Sequence, residues 1–405
     1  MAGPLEGIQV LDWTQWQMGP VATAMLADLG ANVVHIEQRV RGDPGRGYKK
    51  SRGVLLELPH GRNAYFECMN RGKKSIAIDL VKEKGREVVY RLVKDSDVFV
   101  HNFRQDVPER LGLDYETLCQ YNPRLIYVAA SGYGPMGPDA MEPAFDFLGL
   151  ARSGIMNIIG EPDMPPLAVA GAIADQMGAI MTSYGILAAL VARERLGIGQ
   201  KVDVSLLGGM IALQGFAVGI RLYLGRELPR ESRGKVANPL WNYYKCKDDR
   251  WLMLGMLSSD RYWPAVCRGL NIEYLEKDTK FENAQRREEN REQLVSIMDE
   301  IFITRSSSEW MRILKQGEDV VCTPVQTISD LLNDPQVLAN NYIIDCNHEV
   351  LGPVKVIGIP VQLSQTPGVV KCEAPEFGQH TEEILTEIGG YSWEEITELR
   401  KEEVI

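Results

Sequence analysis

The chain lacks several signatures that would assign a function at once. Its seven cysteines, at 68, 119, 246, 267, 322, 346 and 372, include no CxxC pair and their number is odd. That pattern predicts reduced, buried thiols in a cytosolic protein. The five histidines, His35, His60, His101, His348 and His380, form no HxxxH or HExxH pattern, so the sequence supports no metal site. Basic residues are in the minority, and the net charge is −11. A nucleic-acid partner needs clustered Lys and Arg to release counterions, so that class is disfavoured. The first residues have no charged n-region leading into an apolar core, which predicts no secretory signal. The longest apolar stretch, residues 177–192, is too short and too interrupted to span a bilayer. No internal repeat or low-complexity segment stands out.

Apolar residues make up 45% of the 405, and charged residues 24%. One or two globular domains with a proper core follow from these values. Residues 7–13 read as a buried strand. A turn and the helix-spaced run VATAMLADLG follow, then a second strand at residues 32–37. This βαβ unit requires parallel pairing and a right-handed crossover. Alternation of strands and helices continues through residue 133, which predicts an α/β layered fold with a mostly parallel sheet. Ligands in such sheets collect at the carboxyl ends of the strands. The turn after the first strand has no GxGxxG, so a nicotinamide site lacks its fingerprint. Glu37 ends the second strand, where a dinucleotide fold often keeps an acid for ribose.

Residues 39–52 form a basic, Gly-rich loop, and Arg71, Lys73 and Lys74 make a second basic cluster. Each reads either as a solvated surface or as the mouth for a phosphate-bearing ligand. Residues 82–96 have amphipathic spacing that puts Val88, Val89, Leu92 and Val93 on a core face. Near Arg221 the chain turns polar, as in a linker. Residues 243–256 carry a hairpin signal, strand, Lys-Asp-Asp-Arg turn, strand. The expected domains are residues 1–220, a large Rossmann-like domain; 225–325, a smaller α+β domain; and 330–405, an extended linker that returns to the large domain as two short helices.

Residues 168–206 set the frame for function. Asp175 is the sole acid there before Glu194, and a long apolar helix follows it. It reads as the N-cap of that helix. The sharper alternative is a carboxylate held ionised by the helix dipole in a partly dry site, suited to act as a nucleophile or base.

Several segments together resemble one family. They are PLEGIQVLDWTQWQMGP, LADLGANVVHIE, NRGKKSIAIDL, VHNFRQDVPERLGL, NPRLIYVAASGYG, AIADQMGA with RERLGIGQKVDVSL, and GQHTEEIL. In this order and spacing they resemble the class III, or CaiB/BaiF-type, CoA-transferases, and the resemblance covers nearly the whole chain. It implies a Rossmann-like large domain built from both chain ends, a small domain, and an interlocked homodimer. It implies an enzyme that moves CoA from an acyl-CoA donor to a carboxylic acid acceptor. The acyl-CoA is its substrate; no permanently bound cofactor, membrane or nucleic acid is needed. By the resemblance Asp175 is the nucleophile, passing through an aspartyl anhydride and an aspartyl-CoA thioester, and Gln17 sits near the reacting carboxylates. Taken alone, Gln17 reads as a polar turn residue. The resemblance assigns CoA contacts to Met18, Arg39, Ile78, Asn102, Phe103, Arg104, Arg110 and Phe145. The alternative is an acyl-CoA racemase of the same superfamily. Racemases carry a His in a Gly-His-Asp motif, and here that stretch is Ala144-Phe145-Asp146; Phe145 cannot shuttle a proton. Formyl-CoA:oxalate transferases have a glycine run in the small domain, where this chain has Gly255 alone. Trp13, Trp16, Trp241 and Tyr243 are candidates for an apolar acyl pocket.

Overall fold

The computed structural model describes residues 3–315 and 320–405. Six strands form one sheet: β1 (Gln9–Trp13), β2 (Asn32–Gln38), β3 (Lys74–Ile78), β4 (Val98–His101), β5 (Ile126–Ser131) and β6 (Gln200–Ser205). Their order is β3-β2-β1-β4-β5-β6, and every neighbouring pair is parallel. This is the strand order of a doubly wound dinucleotide fold, whose switch point lies between β1 and β4. Side chains alternate across the sheet with a period of two. Leu11, Val34, Ile76 and Phe99 face one layer, with Val88, Val89 and Leu92 of helix α2 (Glu83–Lys94). Val10, Val33, Val98 and Ile126 face the other, with Ile186, Ala189 and Leu190. Those three belong to helix α4 (Ile173–Leu196). Both faces are covered, which explains why the strands are apolar almost throughout.

Helix α1 (Met18–Asp28) packs on α4 through a close approach at Gly178. A Cβ there would lie 2.8 Å from the Met18 Cε. Helix α3 (Asp146–Ser153) meets the start of α4, and helices α5 (Leu206–Leu213) and α6 (Gly215–Leu224) follow β6. The residues expected as a linker from Arg221 begin inside α6, which runs on to Leu224. The apolar α5–α6 pair is bent by 75°, and no single helix among the described residues is long and apolar enough to cross a membrane.

Contacts divide the chain into two compact units. The larger comprises residues 1–156, 168–226 and 335–405; the smaller comprises 157–167 and 227–334. The smaller unit has an antiparallel sheet of β7 (Tyr243–Lys245), β8 (Trp251–Leu254) and β9 (Cys322–Pro324), with β8 central. The 243–256 hairpin is present as read; β9 arrives from seventy residues on and could not be read from local pattern. Its core gathers Tyr244, Leu252, Trp263, Phe302 and Trp310.

Two expectations for the last quarter are corrected. Residues 330–367 are not one extended linker, because a short helix at Pro335–Ala339 interrupts them and β10 (Ile343–His348) and β11 (Gly352–Ile357) fold back as a hairpin. Nor are all cysteines buried, reduced thiols. Cys346 on β10 is disulfide-bonded to Cys372, 26 residues away, with Cα atoms 6.0 Å apart, and Cys68 is exposed. The hairpin folds back against the returning chain and creates a proximity that spacing rules for nearby cysteines do not see. The chain ends in the two short helices expected around Gly389-Gly390, Thr381–Glu387 and Trp393–Lys401. Ile384 and Ile396 enter the core of the large unit, and the Asp79 N–H donates to the Val404 carbonyl at 2.8 Å.

Candidate active site

The loop leaving β1 is held from below by a buried charge cluster. Asp12 accepts hydrogen bonds from Lys73 Nζ at 2.8 Å and Thr23 at 2.7 Å, and lies 3.0 Å from His35 Nδ1. His35 Nε2 lies 3.5 Å from Asp43 Oδ2. Burial alone would lower the His35 pKa, but the Asp12 charge and the carboxylates on either side overcome it and lift it to about 9. Burial would likewise raise Asp12, yet Lys73 and His35 hold it well below the usual carboxylate range. The other oxygen of Asp43 reaches the loop itself, accepting from the Trp16 N–H at 3.3 Å. Trp16 needs that support, because its φ of 65° is in the left-handed region that a bulky residue avoids. From the β4 side Asn102 clasps the same loop. Its Oδ1 accepts from Gln15 N–H at 2.9 Å, and its Nδ2 donates to the Gln15 carbonyl at 2.7 Å.

This clasped loop presents Gln17 at the switch point. Gln17 is buried, and the Tyr65 hydroxyl donates to its Oε1 at 3.5 Å, a long bond. The amide NH2 is then the end left to donate. Burial, with the charges of Asp175 and Asp43, raises the Tyr65 pKa, so its phenol stays a donor.

Asp175 is not the N-cap of α4. Ala172 takes the cap position with φ 53° and no side-chain acceptor, and Asp175 lies in the first turn. The missing cap comes from Asp146 of α3. Its Oδ1 accepts from the N–H groups of Ala174 at 2.7 Å and Asp175 at 3.2 Å. The charge state of Asp175 also differs from expectation. Burial, reinforced by the Asp146 charge, raises its pKa to about 7. The helix start does not keep it firmly ionised; a dry setting and a like charge outweigh the dipole. Nor is α4 buried all round. Ala174, Gly178, Ile186 and Leu190 face inward, while Ile180, Tyr184 and Val191 are exposed.

Gln17, Met18, Asn102, Phe103, Arg104, Phe145 and Asp175 line one cavity of about 260 Å³. Tyr65, Asp146 and Glu142 belong to the same neighbourhood, and sequence reasoning assigned none of them a role. A second cavity of about 250 Å³ shares Gln15, Phe103 and Val107 with the first, and Ile78 and Trp13 line it. Phe103 packs against Trp13 with the rings tilted by 36° and their centroids 4.4 Å apart. Arg39 and Arg110 line neither cavity. Arg39 Nε donates to the Ile405 carbonyl at 3.0 Å, and Arg110 lies 3.3 Å from Asp106, a partner it shares with Arg104. Trp241 and Tyr243 belong to the smaller unit.

Part of each basic stretch is paired inside the protein, while Arg41, Lys49, Lys50 and Arg52 of the first remain exposed. Arg46 holds Glu37 through two 2.7 Å hydrogen bonds, and Ser75 donates to the same carboxylate at 2.6 Å. Glu37 is therefore buried and paired, not a free acid for ribose. Arg71 pairs with Asp28, Lys73 with Asp12 and Lys74 with Glu383, so each cation of the second basic cluster has an acidic partner. Among the described residues no group of three His, Cys, Asp or Glu could hold a metal ion.

The family model for CoA-transferase family III matches residues 5–381. The chain belongs to this family. The CoA-transferase is 30% identical to the (R)-2-hydroxy-4-methylpentanoate CoA-transferase of Clostridioides difficile, over 99% of each chain. It is 31% identical to the succinyl-CoA–D-citramalate CoA-transferase of Chloroflexus aurantiacus, over 99% of this chain and 98% of that one. Its structure superposes on that of a CaiB/BaiF family protein from Brucella suis with a TM-score of 0.86 at 28% identity, covering 96% of this chain and all of the other. The enzyme is thus a CoA-transferase, of a kind whose relatives use CoA thioesters as substrates.

Proposed function

We propose that the enzyme exchanges CoA between two carboxylic acids through covalent intermediates on Asp175. The observation that carries this reading is a first-turn carboxylate with a pKa of about 7, lining the switch-point cavity together with Gln17. A carboxylate suits acid-to-acid exchange, because the anhydride it forms keeps the activation of the acyl group. An Asp175 oxygen attacks the thioester carbonyl of the donor, and CoA leaves as thiolate with the electron pair of the C–S bond. The thiolate attacks Cγ of Asp175 and expels the donor acid as its carboxylate. The acceptor carboxylate then attacks the aspartyl-CoA thioester, releasing thiolate again, which takes the acceptor acyl group and frees Asp175. Each addition places negative charge on a carbonyl oxygen, and the Gln17 amide, oriented by Tyr65, is positioned to donate to it. Half-burial of Asp175 limits hydrolysis of the anhydride.

CoA follows the two linked cavities, with Phe103 and Ile78 along its path and Met18 beneath the thioester end. Arg39 and Arg110 reach its phosphates only by leaving their present partners. The acids are of the short hydroxy- or dicarboxylate type, by likeness to the (R)-2-hydroxy-4-methylpentanoate and D-citramalate transferases. Phe145 carries no titratable group, which speaks against a racemase's second base. The active form is a homodimer, supported by exposed apolar side chains such as Tyr184, Phe216, Leu222 and Tyr223, too many to leave in water.

The test incubates the enzyme with acyl-CoA, traps with hydroxylamine or borohydride, and locates the adduct by mass spectrometry. An adduct on Asp175, with turnover abolished in Asp175→Ala, is expected. Undiminished turnover in that variant without any adduct would overturn the reading.

A further inference from the structure

Helix α4 starts with orphan N–H groups that its own sequence does not cap. Asp146 caps them from a separate helix, 28 residues earlier for Ala174 and 29 for Asp175. The approach is enforced by packing: a Cβ on Gly149 of α3 would lie 3.1 Å from the Ala174 side chain. A neutral Asn or Ser can cap N–H groups equally well. A carboxylate here carries an extra burden, since Asp146 Oδ2 is buried and finds no hydrogen-bond partner among the described residues. The second oxygen thus does nothing for the cap; what it contributes is charge beside Asp175.

We propose that Asp146 is a positioning residue with two effects on Asp175: it fixes the turn that carries it, and its charge drives Asp175 out of the ionised state and into the covalent ones. This rests on the reading of Asp175 as nucleophile. In the anhydride the negative charge has moved from the Asp175 oxygen to the departing CoA sulfur. In the aspartyl-CoA thioester it has moved to the departing donor carboxylate. In both states the Asp175 acyl group is uncharged, and repulsion from Asp146 is absent. Repulsion returns only when the final thiolate attack restores the Asp175 carboxylate. A like charge beside the resting carboxylate therefore makes it a stronger nucleophile and enriches the covalent intermediates. The geometry assigns the charge to Asp146 because its Oδ1 already takes two N–H groups at the positive end of a helix. The remaining polar groups do not cancel it. Tyr65 is a neutral phenol, Gln17 an amide and Glu142 a further acid on the cavity wall, while Arg104 is paired with Asp106.

Asp146→Asn keeps an acceptor oxygen for the cap and removes the charge. In that variant the acidic limb of the kcat/KM profile should move down by about one pH unit, and the equilibrium ratio of aspartyl-CoA adduct to free enzyme should fall about tenfold. KM for acyl-CoA should hold and Tm should not fall, whereas Asp146→Ala, which loses the cap, should lower Tm. A folded Asp146→Asn with unmoved limb and adduct ratio would overturn the proposal and leave a plain cap. Should Asp146→Asn not fold, infrared difference spectra follow the Asp175 carboxyl in wild type and in Asp146→Ser, whose neutral hydroxyl can still cap. A lower titration midpoint in Asp146→Ser than in wild type supports the proposal, and an unmoved midpoint, as burial alone would give, refutes it. The two readings fail separately: absence of any wild-type adduct sinks the nucleophile, while the infrared titration still reports the charge environment.

Discussion

Two clusters of buried carboxylates sit near one site and behave oppositely. Below the loop after β1, Asp12 and Asp43 are bracketed by His35 and Lys73, and the Asp12 pKa is held down. At the start of α4, Asp146 and Asp175 interact with no salt bridge to either among the described residues, and both carboxyls are pushed up, first by burial. The same physics gives both results; whether a counter-charge is built in decides the sign. The first cluster holds geometry, keeping Trp16 strained and Gln17 aimed. The second is left uncompensated, and perturbed carboxylates of that kind cluster at functional sites.

Breaking the paired cluster should have the largest effect. Lys73→Met leaves the Asp12 carboxylate short of its cation, and unfolding in denaturant should show a loss of about 3–5 kcal/mol. The same substitution should barely move the pH limb assigned to Asp175; a large shift there would show that the clusters are one electrostatic unit. Next comes the oriented amide. Gln17→Ala should lower kcat by about 10²–10³, as expected for losing one donor to a developing oxyanion, with the covalent adduct still detectable by mass spectrometry.

The smallest effect sharpens the contrast through pH. Asp175 has a folded pKa raised from 3.8 to about 7, so ionising it disfavours the fold. That penalty is absent below about pH 4, grows up to pH 7 and is constant above. Asp175→Asn should therefore be more stable than wild type at pH 7–8, and the gap should close toward pH 4 in thermal melts. His35 works the other way. Its pKa is raised from 6.5 to about 9, so its stabilisation is complete below pH 6.5 and lost as pH rises through 9. Wild type and Asp175→Asn should share that alkaline loss.

Much of the fold was legible because its signals are local. Strand–helix alternation, the spacing of Val88, Val89, Leu92 and Val93, and the Lys-Asp-Asp-Arg turn each depend on residues a few positions apart, and each matches the observed element. The site was legible only in outline. Asp175 drew notice as a lone acid before an apolar helix, but its role as a cap was wrong, since the cap is Asp146. Asp146 was seen only as the neighbour of Phe145, and nothing in its own stretch marks a partner 28 residues on. The basic runs were only partly legible for a related reason: a sequence counts cations and cannot see that Glu37, Asp28 and Asp12 lie opposite Arg46, Arg71 and Lys73, while Arg41, Lys49, Lys50 and Arg52 stay exposed.

By itself, then, the sequence determined the parallel α/β sheet and the family. Residue type and short-range periodicity carry that information. The tertiary structure alone decided which charges are cancelled and which are left exposed to one another. It placed Lys73 on Asp12, Cys346 on Cys372 and Asp146 on the first turn of α4. Electrostatic fate depends on distance and dryness, and both are set only when remote segments pack together.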